Sequence, residues 1–430
     1  MSNCRHLFKF PFYALTLKTD QERLDEWIDQ EKYQVVCEEI ISYVKKNGFD
    51  YFRKLERTVL SETKEFLDYS WNVCSAVPEM AADELAGAFH NFVCKYFWHY
   101  GPGCITFLYE HNLSERLSGS LAKRHDNVAD LSGQLLKTSY KSFLVESEDL
   151  LSEISKAKGA RQQKLTRDYI QRYFFIDTSY HTKIELNEKN ILAKAKAAAK
   201  HGEQKNRTTV KLKELKLSEE EKIIIELLKS AEMLRDKRKQ VAMAGAHVML
   251  KFLDEVVRRK KLDLDLAKRA HWFEFQDLLD DPKETIERLK KRDYMSIVLD
   301  GNSFHYLDYM AIEPRTVADS DVQFFKGTPA AAGVYKGRVK IIVTKKDFPK
   351  MKKGDILVTD MTRPDYLPIM RLAGAIVTDE GGLTCHAAVV SREMGIPCVV
   401  GTKIGTQVLH DGQRVEVDAD RGVVKILGGK

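Results

Sequence analysis

The stretch TDEGGLTCHAAVVSREMGIPCVVG at residues 378–401 decides how the last quarter of this chain folds. The apolar run AIVT at 375–378 reads as a strand that ends at Asp379, Glu380, Gly381 and Gly382. Two adjacent glycines permit a sharp turn and let a ligand approach the backbone closely. Thr384 is placed to serve as an N-cap, so a helix is expected to begin with Cys385, His386 and Ala387 and to run to Met394. His386 then lies in the first turn, beside unpaired N–H groups and the positive end of the helix dipole. That location disfavours imidazolium and favours an anion. A neutral imidazole next to an anion cradle has the chemistry of a phosphoryl acceptor, because the nitrogen attacks and the phosphoryl group rests on the helix N-terminus. Ala387 and Ala388 leave room for a second body to approach.

The residues in order are Gly381, Gly382, Leu383, Thr384, Cys385, His386, Ala387 and Ala388, then Ser391, Arg392, Glu393, Gly395, Ile396, Pro397, Val399, Val400 and Gly401. The run resembles the phosphohistidine (swivelling, or mobile) domain of the phosphoenolpyruvate-utilising enzymes. That group includes phosphoenolpyruvate synthase, pyruvate phosphate dikinase, rifampicin phosphotransferase and the first enzyme of the sugar phosphotransferase system. Its pattern is Gly-Gly-x-Thr-Ser-His-Ala-Ala-x-x-Ala-Arg-Glu-x-Gly-Ile-Pro-x-Val-Val-Gly. Upstream, KGTPAAAGVYKGRVKII at 326–342 looks like the family's opening hairpin, and TRPDYLPIM at 362–370 like its Thr-x-Pro-Asp segment.

The resemblance implies a β/β/α sandwich in which His386 is phosphorylated transiently on nitrogen. Thr384 would orient the ring or contact the phosphoryl group. Gly381 and Gly382 would shape the cradle, with Cys385 beside them. Cys385 stands where the family has Ser, and a thiol is a weaker hydrogen-bond donor than a hydroxyl. Arg392 lies off the His386 face of the helix and is expected to form an ion pair with an upstream acid. His410, in a turn before a strand, is expected at the surface. No metal ligands are expected here.

Composition singles out the same quarter. Of 430 residues, 69 are Lys or Arg and 63 are Asp or Glu, a net of +6. From Phe325 onward there are 17 basic and 11 acidic residues and 14 of the 24 glycines, so the preceding residues are electrically balanced. A hydrophobic fraction of 43% excludes global disorder. The balanced majority does not read as a nucleic-acid platform, and no apolar run approaches a bilayer span. The N-terminal residues lack a cleavage site after their apolar run, which argues against a signal peptide. Seven scattered cysteines without a CxxC fit free thiols in a reducing cytoplasm. A cytoplasmic protein with neither nucleic acid nor membrane as partner is expected.

The remaining sequence predicts an α+β multidomain chain whose first part is mostly helical. Residues 1–17 read as a short strand or arm, and helical periodicity starts near Gln21 and continues to about Leu121. Helices resume as far as Lys158. NEKNILAKAKAAAKHGEQKN at 187–206 reads as an exposed helix leading into a basic linker. Ser218 with Glu221 makes a capping box that opens a long helix, expected to reach about Lys260. Ile223, Leu227, Ala231 and Leu234 form its apolar stripe. Arg235 and Arg238 stand on adjacent turns and are read as surface arginines paired with acids, with a phosphate clamp as the sharper reading. The aromatics at 98–100 and 169–180 read as core. The expected domains are 1–160, helical; 161–314, helical and similar to the segment preceding the His domain in family members; 315–325, a linker; and 326–430, the phosphohistidine domain.

The full enzymes of that family carry an ATP-grasp domain that phosphorylates the histidine, and many carry a barrel that handles pyruvate. Neither is recognisable in this sequence, and there is no glycine-rich phosphate loop before residue 325. The expectation is therefore a phosphotransferase or a subunit of one. His386 would relay phosphate between an ATP site, on a separate ATP-grasp subunit, and pyruvate, phosphoenolpyruvate or another small acceptor. No cofactor is expected on this chain, while Mg²⁺ and ATP are expected at the partner site. The competing expectation is a helical binding or scaffold protein with a regulatory or vestigial phosphohistidine domain.

Overall fold

The computed structural model describes residues 15–19, 24–28, 30–125, 128–178, 183–198, 215–292, 295–300, 303–307, 322–362, 366–383 and 385–427. The basic linker expected after residue 198 and most of the linker expected at 315–325 lie outside them, as does Thr384. Among the described residues no helix is long and apolar enough to cross a membrane.

Near the N-terminus the chain forms two strands, β1 (Leu15–Thr19) and β2 (Leu24–Ile28), paired antiparallel. β2 corrects the expectation of helix from Gln21. Its sequence LDEWI carries helical spacing, but pairing with β1 overrides that weak local preference. Helices then follow as α1 (Gln30–Asn47), α2 (Asp50–Ala76), α3 (Ala82–Tyr100), α4 (Glu110–Ala122), α5 (Val128–Leu135), α6 (Phe143–Lys156), α7 (Gly159–Tyr173) and α8 (Glu188–Ala198). A 3₁₀ segment at Gly101–Leu108 joins α3 to α4.

α9 (Glu219–Lys260) is the axis of the helical body. With 42 residues it is about 63 Å long at 1.5 Å per residue. Its start is the expected capping box: the Glu221 amide donates to the Ser218 hydroxyl at 3.1 Å and the Ser218 amide to the Glu221 carboxylate at 2.8 Å. Its end is Lys261 in the left-handed conformation. Leu227, Ala231 and Leu234 are fully buried as the stripe requires, but Ile224, Ile225 and Leu228 are buried too. A helix buried on several faces is a core helix rather than a surface one. Its N-terminal half packs in one cluster with α1 and α4 residues such as Ile40 and Leu117. Its C-terminal half packs in another with Phe66, Phe92, Tyr169 and Phe175. The aromatics at 169–175 are thus core, as read from the sequence, whereas Trp98, also read as core, is 37% exposed.

α10 (Leu264–Ala267), α11 (Phe275–Asp280) and α12 (Pro282–Lys290) lead to β3 (Met295–Asp300) and β4 (Ser303–Leu307). These strands join β1 and β2 in a four-stranded antiparallel sheet of order β2-β1-β3-β4. The segment was not expected to contain strands.

The C-terminal α/β unit comprises β5 (Phe324–Lys326), β6 (Thr328–Ala331), β7 (Val334–Ile341), β8 (Ile356–Thr359), α13 (Leu367–Met370), β9 (Ala375–Thr378), α14 (His386–Met394), β10 (Cys398–Val400), α15 (Gly405–Val408), β11 (Arg414–Asp418) and β12 (Val423–Ile426). The strand order is β5-β12-β11-β7-β8-β9-β10-β6, with β7, β8, β9 and β10 parallel. β6 and β7 do not pair as the expected opening hairpin. β6 pairs with β10, and β7 lies between β11 and β8. β5 and β6 occupy opposite ends of this order, yet only Gly327 separates them. One run, bent at Gly327, therefore serves both ends and the sheet closes on itself. The bend is tight, since a Cβ on Gly327 would lie 2.6 Å from the Val400 carbonyl oxygen.

Alternation along the central strands fills two layers. Ile356, Val358, Ala375, Val377 and Val399 point into a core with Val339, Val415 and Val424. Leu357, Ile376, Cys398 and Val400 point the other way, onto Ala387 and Ala388 of α14 and Met370 of α13. This is the β/β/α sandwich the resemblance implied, and it puts the N-terminus of α14 at the carboxyl end of the parallel strands.

Candidate functional site

β9 delivers the chain to the turn before α14, and Asp379 fixes that turn. Its carboxylate accepts from the Thr402 hydroxyl at 2.8 Å, from the Thr406 amide at 3.0 Å and from the Thr406 hydroxyl. The amides of Asp379 and Glu380 donate to the carbonyls of Thr359 and Asp360, at 3.1 and 2.8 Å, extending the strand register past β8. Gly381 follows at φ +108°, and a Cβ there would meet Cys385 Sγ at 2.7 Å, so both the backbone conformation and the space require glycine.

Cys385, not Thr384, is the N-cap of α14. It has extended backbone (φ −67°, ψ 164°) and its Sγ accepts from the Ala388 amide at 3.4 Å. The helix begins one residue later than expected because the Gly382 carbonyl accepts from the Cys385 amide at 3.0 Å, holding that residue in the turn. His386 is therefore the first helical residue. Its Nδ1 lies 2.8 Å from the Thr362 hydroxyl.

The walls around His386 come from the helical body. The Gly382 and Leu383 segment lies against α4, where a Cβ on Gly382 would sit 3.0 Å from Ser114 Oγ. The ring faces α9. Burial, then the charges of Lys239 and Arg235, pulls the imidazole pKa from 6.5 down to about 3. A neutral ring was expected from the helix dipole; here desolvation is the larger cause and the cations add to it. Lys239 is itself held down to about 8 by burial and by Arg235 and Arg238.

Arg235 is not a surface residue, since it and its ion-pair partner Glu110 are each only 12% exposed. The expected pairing with an acid is present, but in the interior. The Arg238 guanidinium lies 3.8 Å from the Phe107 ring centroid, and Gly103 permits this packing because a Cβ there would be 2.6 Å from Arg238 Cβ. Residues 235, 238 and 239 share one helix face. Lys239 and Arg235 thus place positive charge beside a neutral imidazole, an arrangement that an anion relieves.

Arg392 departs from expectation. It donates to the Ala330 carbonyl at 3.1 Å and packs against Gly133 of α5, with no ion pair among the described residues. His410 is exposed, as read from the sequence. Among the described residues no group of three or more His, Cys, Asp or Glu is placed to hold a metal ion. The sequence reading missed Thr362 and Lys239. Thr362 stood in the quoted TRPDYLPIM segment and was available as a signal. Lys239 lies about 150 residues from His386, and its spacing of four from Arg235 was the only local hint.

Comparison with known proteins bears on this unit. Residues 351–422 match the family model described as PEP-utilising enzyme, mobile domain. A probable phosphoenolpyruvate synthase of Archaeoglobus fulgidus is 58% identical over 99 residues, 23% of this chain and 13% of that protein. The phosphoenolpyruvate synthase of Pyrococcus furiosus is 54% identical over 114 residues, 26% of this chain and 14% of that protein. The match thus spans about one seventh of those relatives' length. Among solved structures, aconitase X of Thermococcus kodakaraensis aligns with 24% of this chain and 98% of its own, at 21% identity and a TM-score of 0.20.

Proposed function

We propose that this chain is a phosphotransferase, or a subunit of one, in which His386 is transiently phosphorylated. It relays the group between an ATP site on a separate ATP-grasp partner and a small acceptor, pyruvate or phosphoenolpyruvate being the family's example. The observation that carries this reading is the pairing of a neutral His386, held through Nδ1 by Thr362, with the cations of α9. Occupying Nδ1 leaves Nε2 as the nucleophile. Its lone pair attacks the donor phosphorus, an N–P bond forms, and the donor P–O bond breaks with the electron pair leaving on oxygen. In the second half-reaction an acceptor oxygen attacks phosphorus and the N–P pair returns to Nε2. A proton on that acceptor oxygen passes to solvent.

The bound orientation represents the discharge position. Arg235 and Lys239, whose charges act on the His386 ring, there lie where negative charge on the transferring group develops. Arg235 thus takes the phosphate-facing role that the sequence offered as an alternative for Arg235 and Arg238, while Arg238 packs on Phe107. Mg²⁺ belongs with ATP at the partner site, where it neutralises phosphate charge. The relay requires the C-terminal unit to travel between partner and helical body.

Incubation with labelled ATP or phosphoenolpyruvate, with and without a lone ATP-grasp protein, tests the reading. The expected label is acid-labile and base-stable, and His386→Ala abolishes it. Label from ATP with no partner present would sink the split arrangement. No label under any condition would sink the carrier itself and favour the scaffold.

A further inference from the structure

We infer that Leu383 is the anchor that seats the histidine loop on the helical body, and that withdrawing it is what releases His386 to a donor. Leu383 is the third residue of the turn and is 0% exposed. It belongs to neither core of its own α/β unit. Instead it is part of the cluster formed by Ile105, Leu113, Leu117, Leu227 and Leu234 from the helical body. An apolar side chain that a domain buries in its neighbour rather than in itself holds the two together, and its buried area sets the strength of the seat.

The neighbours of Leu383 are built for close approach. A Cβ at Gly382 would crowd Ser114 on α4, so the loop lies flat on that helix. Ser114 Oγ is buried and has no hydrogen-bond partner among the described residues, so it presents shape rather than a bond to the loop. Arg392 adds a second buried contact, against Gly133 of α5, and the ion pairs at the rim are weaker than either. Arg371 meets Glu148 at 3.6 Å and Lys403 meets Glu115 at 3.6 Å, all four at least a third exposed. Leu383 is three residues from His386, so a seated leucine tethers the ring to within about 10 Å of the helical body.

This anchor rests on the relay proposed above for its purpose, but not for its detection. In the full chain, two probes report seating without any phosphate: the His386 titration by NMR, and the alkylation rate of Cys385 followed by peptide mass. Leu383→Ala is expected to shift the His386 pKa from about 3 toward 6.5. It should also speed Cys385 alkylation by about fifteen- to sixtyfold, as loss of roughly two to three buried carbons allows. Leu383→Met retains the wild-type values. Gly382→Ala partly reproduces the release, and adding Ser114→Gly to it restores seating, which ties the effect to this contact rather than to unfolding.

In labelled assays Leu383→Ala charges faster and discharges more slowly. Wild-type values of both seating probes in Leu383→Ala would overturn the anchor, whether or not His386 takes phosphate. A shift in both probes with no label from any donor would leave the anchor standing and remove the relay.

Discussion

Thr362 holds one ring nitrogen of His386 at 2.8 Å and so determines which nitrogen is left to react. Thr362→Val keeps the side chain's shape and removes the hydroxyl. The ring then turns freely, and phosphorylation is expected to slow by on the order of tenfold to a hundredfold, the cost of a misplaced nucleophile. Label incorporation measures the rate, and ¹⁵N shifts of the imidazole report the tautomer. Lys239 offers a second residue-scale test. Its ammonium is depressed to about 8 by burial and by Arg235 and Arg238. The unfolded chain therefore binds the extra proton between about pH 8 and the ordinary 10.5, so stability rises with pH across that window. Lys239→Met removes this slope, and the difference between the two denaturation profiles isolates it. A phosphoryl group on His386 is expected to return the Lys239 pKa toward its ordinary value.

At the scale of the element, α14 depends on a thiol to cap it. A 3.4 Å contact from the Ala388 amide to Cys385 Sγ is a weak bond. Cys385→Ser places a hydroxyl there and is expected to stabilise the chain by about 0.5–1 kcal/mol, read from urea denaturation. Gly381→Ala acts in the opposite direction. Its φ of +108° is foreign to a residue with Cβ, and the methyl group strikes the capping sulfur, so a loss of about 2–3 kcal/mol is expected. Elements with strong local punctuation were legible from sequence. α9 began where Ser218 and Glu221 required, and α14 ended at Gly395, which adopts φ +64°.

Others were not legible, for identifiable reasons. LDEWI became β2 because β1 lies beside it, and β1 in turn pairs with β3 some 280 residues later, a contact no local window contains. β3 and β4 were more accessible, since their β-rich runs are separated by the two residues of a Gly-Asn turn signal. His386 was readable because its whole motif is contiguous. The cations that depress its pKa sit on a different element, and only folding brings them together.

For the whole molecule, the proposed release of the α/β unit would be linked to the protonation of His386. In this structure burial, Lys239 and Arg235 hold its pKa down to about 3, and release would return it toward 6.5. The released state binds the proton more readily, so seating is fully favoured above about pH 6.5 and weakens as pH falls toward 3. Small-angle scattering is expected to show a larger radius at pH 5 than at pH 7. His386→Asn, which cannot take the proton, should flatten that response. A pH response of equal size in His386→Asn would assign it to other groups.

The bend at Gly327 would matter to a body that leaves its seat as proposed. A strand edge exposed to water invites pairing with other chains, and a freed α/β unit would face that hazard in every cycle. Here the run from Phe324 to Ala331 covers β12 with its first half and β10 with its second. The ladder of the parallel core is therefore not left open at either side. Unseating as proposed would expose Leu383 and the surface around Arg392 but no long unpaired strand, so a released unit would not template its own aggregation.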